Sequence, residues 1–266
     1  MVMWKIREYD EVTSTNLLAK EQWTEGVIHH GDVLQAWHQT AGRGRIADRT
    51  WHDESGHSLL MSVLIERVPV SAHLMQYRAA ISLITALRKF ATDVASAKFI
   101  LKWPNDILLN GRKVSGILSE GIWQGGELRA MIVGIGVNVE QESFNGLLSS
   151  SAISLKQAGI SASVNEVRDV ILDRLGCDID SPADAQEFVT ADARLIEQVR
   201  NELAWMSMLE PFDVVIGDGS VSHYMRYIEV TETGSLLLQD KDGMRMTLNV
   251  GSLEWTEHLS GIAAVV

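Results

Sequence analysis

The sequence predicts an α+β fold on a mostly antiparallel sheet, followed by a small second unit of short antiparallel strands. Three observations carry this. Strand patterns are separated by hairpin signals rather than alternating regularly with helices. Asn110-Gly111 and Gly125-Gly126 each fall between two strand patterns as tight turns. After Pro211 a helical, acidic stretch gives way to short strand patterns spaced by glycine or polar turns, the signature of a small barrel.

Along the chain, 4–9 alternates as a strand, and Thr13-Ser14-Thr15-Asn16 then precedes Leu17-Leu18-Ala19 as a helix start with hydroxyls placed to cap free N–H groups. Strand patterns follow at 32–37 and 58–66. Between them, 40–53 contains Gly and Arg with no apolar period and reads as a loop. Leu74, Tyr77, Ile81, Ile84 and Leu87 mark a helix over 71–90. Short strands are expected at 99–102, 106–109, 113–120 and 127–139. The stretch 150–208 reads as helical. Strands return at 212–216, 224–230, 236–239 and 244–250. A boundary near Leu209 divides the chain into 1–208 and 209–266.

The composition is 46% hydrophobic over 266 residues, enough for one sizeable core with an appendage. No apolar run approaches the roughly 18 residues of a membrane span. The start at Met1 has no signal-peptide pattern, and the single cysteine, Cys177, suits a reducing cytoplasm. A net charge of −12 argues against a general nucleic-acid coat. Positive charge is nevertheless concentrated at Arg43, Arg45, Arg49 and at Arg112, Lys113, which suits a small anionic ligand.

Two stretches carry the chemistry. In Gly42-Arg43-Gly44-Arg45 the glycines allow close approach of backbone to ligand, and the arginines offer planar forks for carboxylate or phosphate. Gln39, just upstream, can both donate and accept. Taken alone this motif is more often a basic surface loop. Lys102-Trp103-Pro104-Asn105-Asp106 is more specific: Pro104 biases Trp103 to an extended conformation, and the following hairpin returns Lys113 beside Asn105 and Asp106, with Gly116 leaving room against the backbone. Neither a Walker A loop nor a dinucleotide-binding glycine fingerprint is present. His29-His30 and His52/His57 read as surface or loop histidines, Cys177 as a small buried residue, and the eight Asp or Glu against two Arg between 177 and 210 as a solvated face.

Ser14-Thr15-Asn16, Gln39 with Gly42-Arg43-Gly44-Arg45, Lys102-Trp103-Pro104-Asn105-Asp106, Lys113-Val114-Ser115-Gly116-Ile117-Leu118 and Gly134-Ile135-Gly136-Val137-Asn138 together resemble the ordered motif set of biotin protein ligases, also called biotin–[acetyl-CoA-carboxylase] ligases. The resemblance runs from about residue 12 to 140. It implies a catalytic domain with the fold of class II aminoacyl-tRNA synthetase cores and lipoate ligases, followed by an SH3-like barrel. It also implies two steps: biotin and ATP form biotinyl-5′-AMP, and a lysine of a biotin carboxyl carrier protein then displaces AMP. By position, Ser14, Thr15, Asn16 and Gln39 would hold the biotin ring. Gly42, Arg43, Gly44 and Arg45 would lie in the loop that closes over it. Lys113 would contact carboxylate and phosphoryl oxygen, with Gly116 against biotin. Asn105, Asp106 and Asn138 would lie on the nucleotide side. Magnesium is expected with ATP, its protein ligands unassigned.

The residues depart from that pattern in three places. The start leaves no room for the DNA-binding helix-turn-helix of bifunctional members, so no operator binding is expected. The loop lacks a further glycine and basic residue, which leaves a homodimer open. The region around Arg226-Tyr227-Ile228 lacks a usual glycine. The competing readings are a lipoate ligase or octanoyltransferase of the same superfamily and a non-catalytic biotin or nucleotide sensor. Lys113 and Arg43, which a sensor could lose, are both present.

Overall fold

Side-chain alternation along two central strands splits the core in two. In β3 (Ser58–Ile65), Leu59, Met61, Val63 and Ile65 join one apolar cluster and Leu64 joins another. β7 (Glu127–Asn138) repeats this, with Met131, Val133, Ile135 and Val137 in the first cluster and Ala130 and Ile132 in the second. This is the period of two expected of a sheet covered on both faces. The larger cluster takes in helices α2 (Met75–Arg88), α4 (Val164–Asp178) and α5 (Ala185–Leu203); the smaller one is capped by α1 (Thr15–Thr24) through Leu18, Ala19 and Trp23. On the α1 face of the same strands lie Ser62, Gly134 and Gly136, which are polar or bare. That difference between the faces lets the Asn16 carboxamide and the Trp51 indole lie directly against the sheet.

The computed structural model describes residues 2–44, 50–68, 70–91, 94, 97–146, 148–179, 185–209, 211–216, 221–249 and 253–255. The large sheet has seven strands: β1 (Lys5–Tyr9), β2 (Asp32–Ala36), β3, β7, β6 (Arg112–Gln124), β5 (Asp106–Leu109) and β4 (Phe99–Lys102), in that spatial order. Only β1 and β2 pair in parallel; every other pairing is antiparallel. Asn110 and Gly111 have φ of 50° and 79°, and Gly125 and Gly126 have 59° and 82°. Positive φ at both turn positions matches the twist of the flanking strands, so both hairpins form where the sequence places them. A four-residue helix, α3 (Leu148–Ser151), brings the chain back beside Lys113.

The second sheet is antiparallel, in the order β11 (Arg245–Leu248), β10 (Leu236–Gln239), β9 (Val221–Val230), β8 (Phe212–Ile216) and β12 (Leu253–Trp255). It docks on the first through a turn at Gly234, whose carbonyl accepts from the Tyr77 hydroxyl and, at 3.4 Å, from Trp103 Nε1. Arg200 Nε donates to Val230 O at 2.8 Å beside this junction.

Four expectations are corrected. Cys177 is exposed, because it falls on the outer face of α4 while Leu172 and Leu175 take the inner one. Ser14 stands at the N-cap of α1 but makes no side-chain cap bond; the amide of Thr15 donates instead to Gln39 Oε1 at 2.8 Å. The acidic stretch is not all solvated: Asp178 pairs with Arg174 at 2.7 Å, Asp192 accepts from the Ser71 amide at 2.9 Å, and Glu202 pairs with Arg88 at 2.6 Å. β12, which the sequence did not predict, adds a strand beside β8. Trp103, by contrast, is core as the sequence allowed, at 1% exposure.

Candidate functional site

The floor of the site is two adjacent rows of residues across β3, β7 and β6. In one row Ser62 faces Gly134, which faces Leu118. The Asn16 carboxamide lies over this row. Its Nδ2 donates to Leu118 O at 3.2 Å and to Glu120 Oε2 at 2.6 Å, while its Oδ1 is 2.6 Å from Ser62 Oγ. A Cβ on Gly134 would run into that carboxamide, so the glycine is there to admit it. In the next row Leu60 faces Gly136, which faces Gly116. The Trp51 indole lies over this pair: a Cβ on Gly136 would come within 2.9 Å of the ring, and one on Gly116 within 3.2 Å of the ring and of the Lys113 side chain.

The polar end of this slot is made by the start of α1 and the end of β2. Val12 bridges Gln39 in parallel, which brings Gln39 Oε1 to the Thr15 amide, with Thr15 Oγ1 3.2 Å away. Thr15 is 4% exposed and Ser14 3%. The charged end is Lys113, on β6. Its Nζ lies 2.7 Å from Asp106 Oδ1 and 5.6 Å from the centre of the Trp51 ring. The contact with Asp106 is close enough for an ion pair, but its angle is not that of a good hydrogen bond, since the same oxygen has no hydrogen-bond partner by geometry. An ammonium held loosely against one carboxylate and above an indole face is a cation ready to take a new anionic partner.

The residues expected on the nucleotide side divide. Asp106 is half-buried beside Lys113. Asn105 is a brace: its Nδ2 donates to Ile117 O at 2.9 Å, and its carbonyl accepts from the Ile117 amide at 2.9 Å. Asn138 is buried, and its Nδ2 lies 3.2 Å from Ile153 O and 3.4 Å from Lys113 O. Both asparagines spend their amides on backbone around the Lys113 hairpin.

The two limbs of the arginine loop are tied together. Arg43 bridges Thr50, the Trp51 amide donates to Gly42 O at 3.0 Å, and Thr40 and Ala41 donate to the carbonyls of Val12 and Thr13. Gly42 is buried, and a Cβ there would sit 2.8 Å from Trp51 O. Arg43 is exposed and Gly44 partly so. Arg45 and Arg49 lie outside the described residues.

At the base of the loop His38 Nδ1 donates to Asp53 Oδ2 at 2.8 Å, and the Asp53 side chain is 1% exposed. The hydrogen bond to Asp53 raises the His38 pKa from 6.5; burial opposes it, and the charges of Asp53 and Glu11 add to it. Because the folded value is raised, the pair's contribution is fully present below about 6.5 and is lost as pH rises through the folded value. Asp53→Asn is expected to bring the His38 midpoint down toward 6.5, read from its ring resonances by NMR; a midpoint unmoved by the substitution means the pair does not form.

Sequence reasoning missed Trp51, Ser62, Glu120 and the His38–Asp53 pair. For Trp51 a signal existed. Three glycines inside strand patterns, Gly116, Gly134 and Gly136, announce something packed close against the sheet, and a tryptophan ends the basic loop. Among the described residues no three His, Cys, Asp or Glu gather as a metal site.

Residues 9–138 match the model of the biotin/lipoate A/B protein ligase family. The chain is 35% identical over 157 residues to the bifunctional ligase/repressor BirA of Bacillus spizizenii, a match covering 56% of this chain and 46% of the relative. It is 29% identical over 217 residues to the biotin–[acetyl-CoA-carboxylase] ligase of Paracoccus denitrificans, covering 78% of this chain and 84% of the relative. The chain thus spans about half the length of the first of these relatives. In three dimensions it is similar to the biotin protein ligase from Aquifex aeolicus in complex with biotin and ATP, with a TM-score of 0.71 at 24% identity, over 95% of this chain and 98% of the other.

Proposed function

We propose that this chain, whose residues 9–138 match the model of the biotin/lipoate A/B protein ligase family, activates biotin with ATP to biotinyl-5′-AMP and transfers it to a lysine of a biotin carboxyl carrier protein. The observation that carries the reading is the slot itself. It has a glycine floor under an indole, hydrogen-bonding groups from Thr15 and Gln39 at one end, and Lys113 at the other. A flat bicyclic ring with a cyclic urea and an acidic tail has that distribution of chemistry. Relatives named as biotin ligases and a similar fold that binds biotin and ATP support it.

In this reading Lys113 meets the biotin carboxylate and the attacked phosphate together. Two anions repel as they approach, and a preorganised cation between them lowers the barrier where charge builds up. Arg43 and Gly44 belong to the covering loop, which keeps water from the mixed anhydride. Asp106 and Asn138 shape the nucleotide side, Asn138 by bracing backbone. Magnesium is a component of the ATP substrate; the phosphates supply most of its ligands, so few protein oxygens are needed. The carrier domain is the macromolecular partner, the cytoplasm is the compartment, and the division at 208/209 separates catalytic and SH3-like domains. No described helix is long and apolar enough to cross a membrane.

The test is transfer of labelled biotin to a carrier domain, with lipoate as competing acid. ATP-dependent labelling of the carrier, undiminished by lipoate, is the expected result. Preferential transfer of lipoate would move the protein to the other branch of the superfamily. Biotin binding without release of pyrophosphate would make it a sensor.

A further inference from the structure

We propose that His38 and Asp53 form a proton-dependent latch at the base of the arginine loop, which holds the two limbs of the loop together, keeps Trp51 over the glycine floor and so slows the escape of bound biotin. The proposal rests on the biotin reading above and concerns how the same site retains its ligand. Both are positioning residues. They act through Gln39, next to His38, and through Trp51, two positions before Asp53.

The limbs, Trp37 to Arg43 going out and Thr50 to Gly56 coming back, are tied at three levels. At the top the Trp51 amide donates to Gly42 O at 3.0 Å, with Arg43 bridging Thr50. At the bottom the Gly56 amide donates to Trp37 O at 2.9 Å. These are backbone contacts and do not titrate. Between them His38 Nδ1 donates to Asp53 Oδ2 at 2.8 Å, the one ion pair among the described residues that joins the two limbs. The outgoing limb is anchored separately, since the Val12 amide donates to His38 O at 3.1 Å and the Thr15 amide to Gln39 Oε1 at 2.8 Å. What the latch holds down is therefore the returning limb. Trp51 depends on it: Nε1 of the indole is buried without a hydrogen-bond partner, so the ring has no polar anchor of its own.

The latch is ionic where an unpaired charge is poorly tolerated. The Asp53 side chain is 1% exposed and its Oδ1 is buried without a hydrogen-bond partner, whereas His38, at 34%, reaches solvent and can exchange its proton. A buried carboxylate that loses its cation is strongly unfavourable, and charge-assisted hydrogen bonds are roughly twice as strong as neutral ones. The charged groups acting on the His38 ring are Asp53, through its hydrogen bond and its charge, and Glu11, in the segment between β1 and α1; both favour the protonated ring, against burial. His57 and Glu54, also on the returning stretch, face each other at 3.9 Å. Opening the limb takes Asp53 away, so the closed loop holds the His38 proton more tightly than the open loop does. Closure is thus fully favoured below about 6.5, the ordinary histidine value, and that advantage is lost as pH rises through the closed-loop value. The indole lies over Gly116 and Gly136 with its ring centre 5.6 Å from Lys113 Nζ, so a loosened limb uncovers the floor and the charged end of the slot together.

The experiment follows release of labelled biotin, chased with an excess of unlabelled biotin, from about pH 5 to about pH 8, the range in which histidine titrates and the biotin carboxylate stays ionised. In wild type the release rate is expected to rise roughly fivefold with pH, the difference between a charged and a neutral hydrogen bond. Its midpoint should match that of the His38 ring resonances, read by NMR in the biotin-bound protein. His38→Gln, an uncharged donor, should release biotin at one rate across the range, close to the wild-type rate at the alkaline end, and Asp53→Asn should do the same. Thermal unfolding checks that each variant is folded; general loosening would speed release at every pH and leave the slope. A flat wild-type profile, a midpoint that differs from that of His38, or a slope that persists in folded His38→Gln overturns the latch. If neither variant folds, the two wild-type midpoints still decide. Failure to bind biotin at any pH removes the function reading and the latch with it, whereas biotin binding with a flat release profile removes the latch alone.

Discussion

Lys113→Ala is expected to fold normally and to lose most of its adenylate formation. Removal of one preorganised charge contact at the reacting centre typically costs about 3 kcal/mol, which is more than a hundredfold in rate. The structure explains why stability should be spared. The Lys113 side chain is 38% exposed and its partner Asp106 19%, and pairs that solvent reaches contribute no more than about 1 kcal/mol. The backbone of Lys113 is held independently: its carbonyl accepts from the Ile153 amide at 3.0 Å and lies 3.4 Å from Asn138 Nδ2. The hairpin therefore survives without the ammonium. Pyrophosphate release from biotin and ATP, measured on a variant whose thermal unfolding matches wild type, checks this. A wild-type rate would falsify the assignment.

Gly234→Ala should destabilise the whole protein rather than the second sheet alone. Gly234 has φ of +79°, where a side chain is strained, and its new Cβ would sit 2.5 Å from Tyr77 Cε2 and 3.1 Å from Leu74 Cδ2. Strain of about 1–2 kcal/mol and overpacking of about 1–3 kcal/mol act at the same place, because Tyr77 is fully buried on α2 and cannot yield. The same turn receives the Tyr77 hydroxyl and Trp103 Nε1. A shift there reaches the Trp103-Pro104-Asn105 turn that braces β6 through Ile117. The denaturant midpoint is expected to fall and adenylate formation with it. A midpoint equal to wild type would show that the two sheets are not packed through this turn.

The fold was legible because its local signals agreed with one another. Asn110-Gly111 and Gly125-Gly126 sit at turns that need positive φ twice, which few other residue pairs accept. Leu74, Tyr77, Ile81, Ile84 and Leu87 share one helical face, and all five are buried. Cys177 went the other way, because one residue on an amphipathic helix is decided by which face the tertiary structure covers. Its neighbours Leu172 and Leu175 took the inside.

Residue types and their order along the chain were enough to determine the antiparallel hairpins, the helical stretches and the change to a second sheet after Pro211, and to single out Gln39, Arg43, Asp106, Lys113 and Gly116 as candidate groups, with Thr15 added by the family resemblance. Each depends on chemistry that a single residue or a short span carries with it. Only the tertiary structure decided that the Asn16 carboxamide lies over Gly134 between Ser62 and Glu120, that Trp51 lies over Gly116 and Gly136, that Asn105 and Asn138 brace backbone, and that His38 clasps Asp53. These pairings join residues 12 to 104 positions apart. The direction of a hydrogen bond between them depends on which partner already has its proton engaged, and that follows from the neighbours that folding supplies.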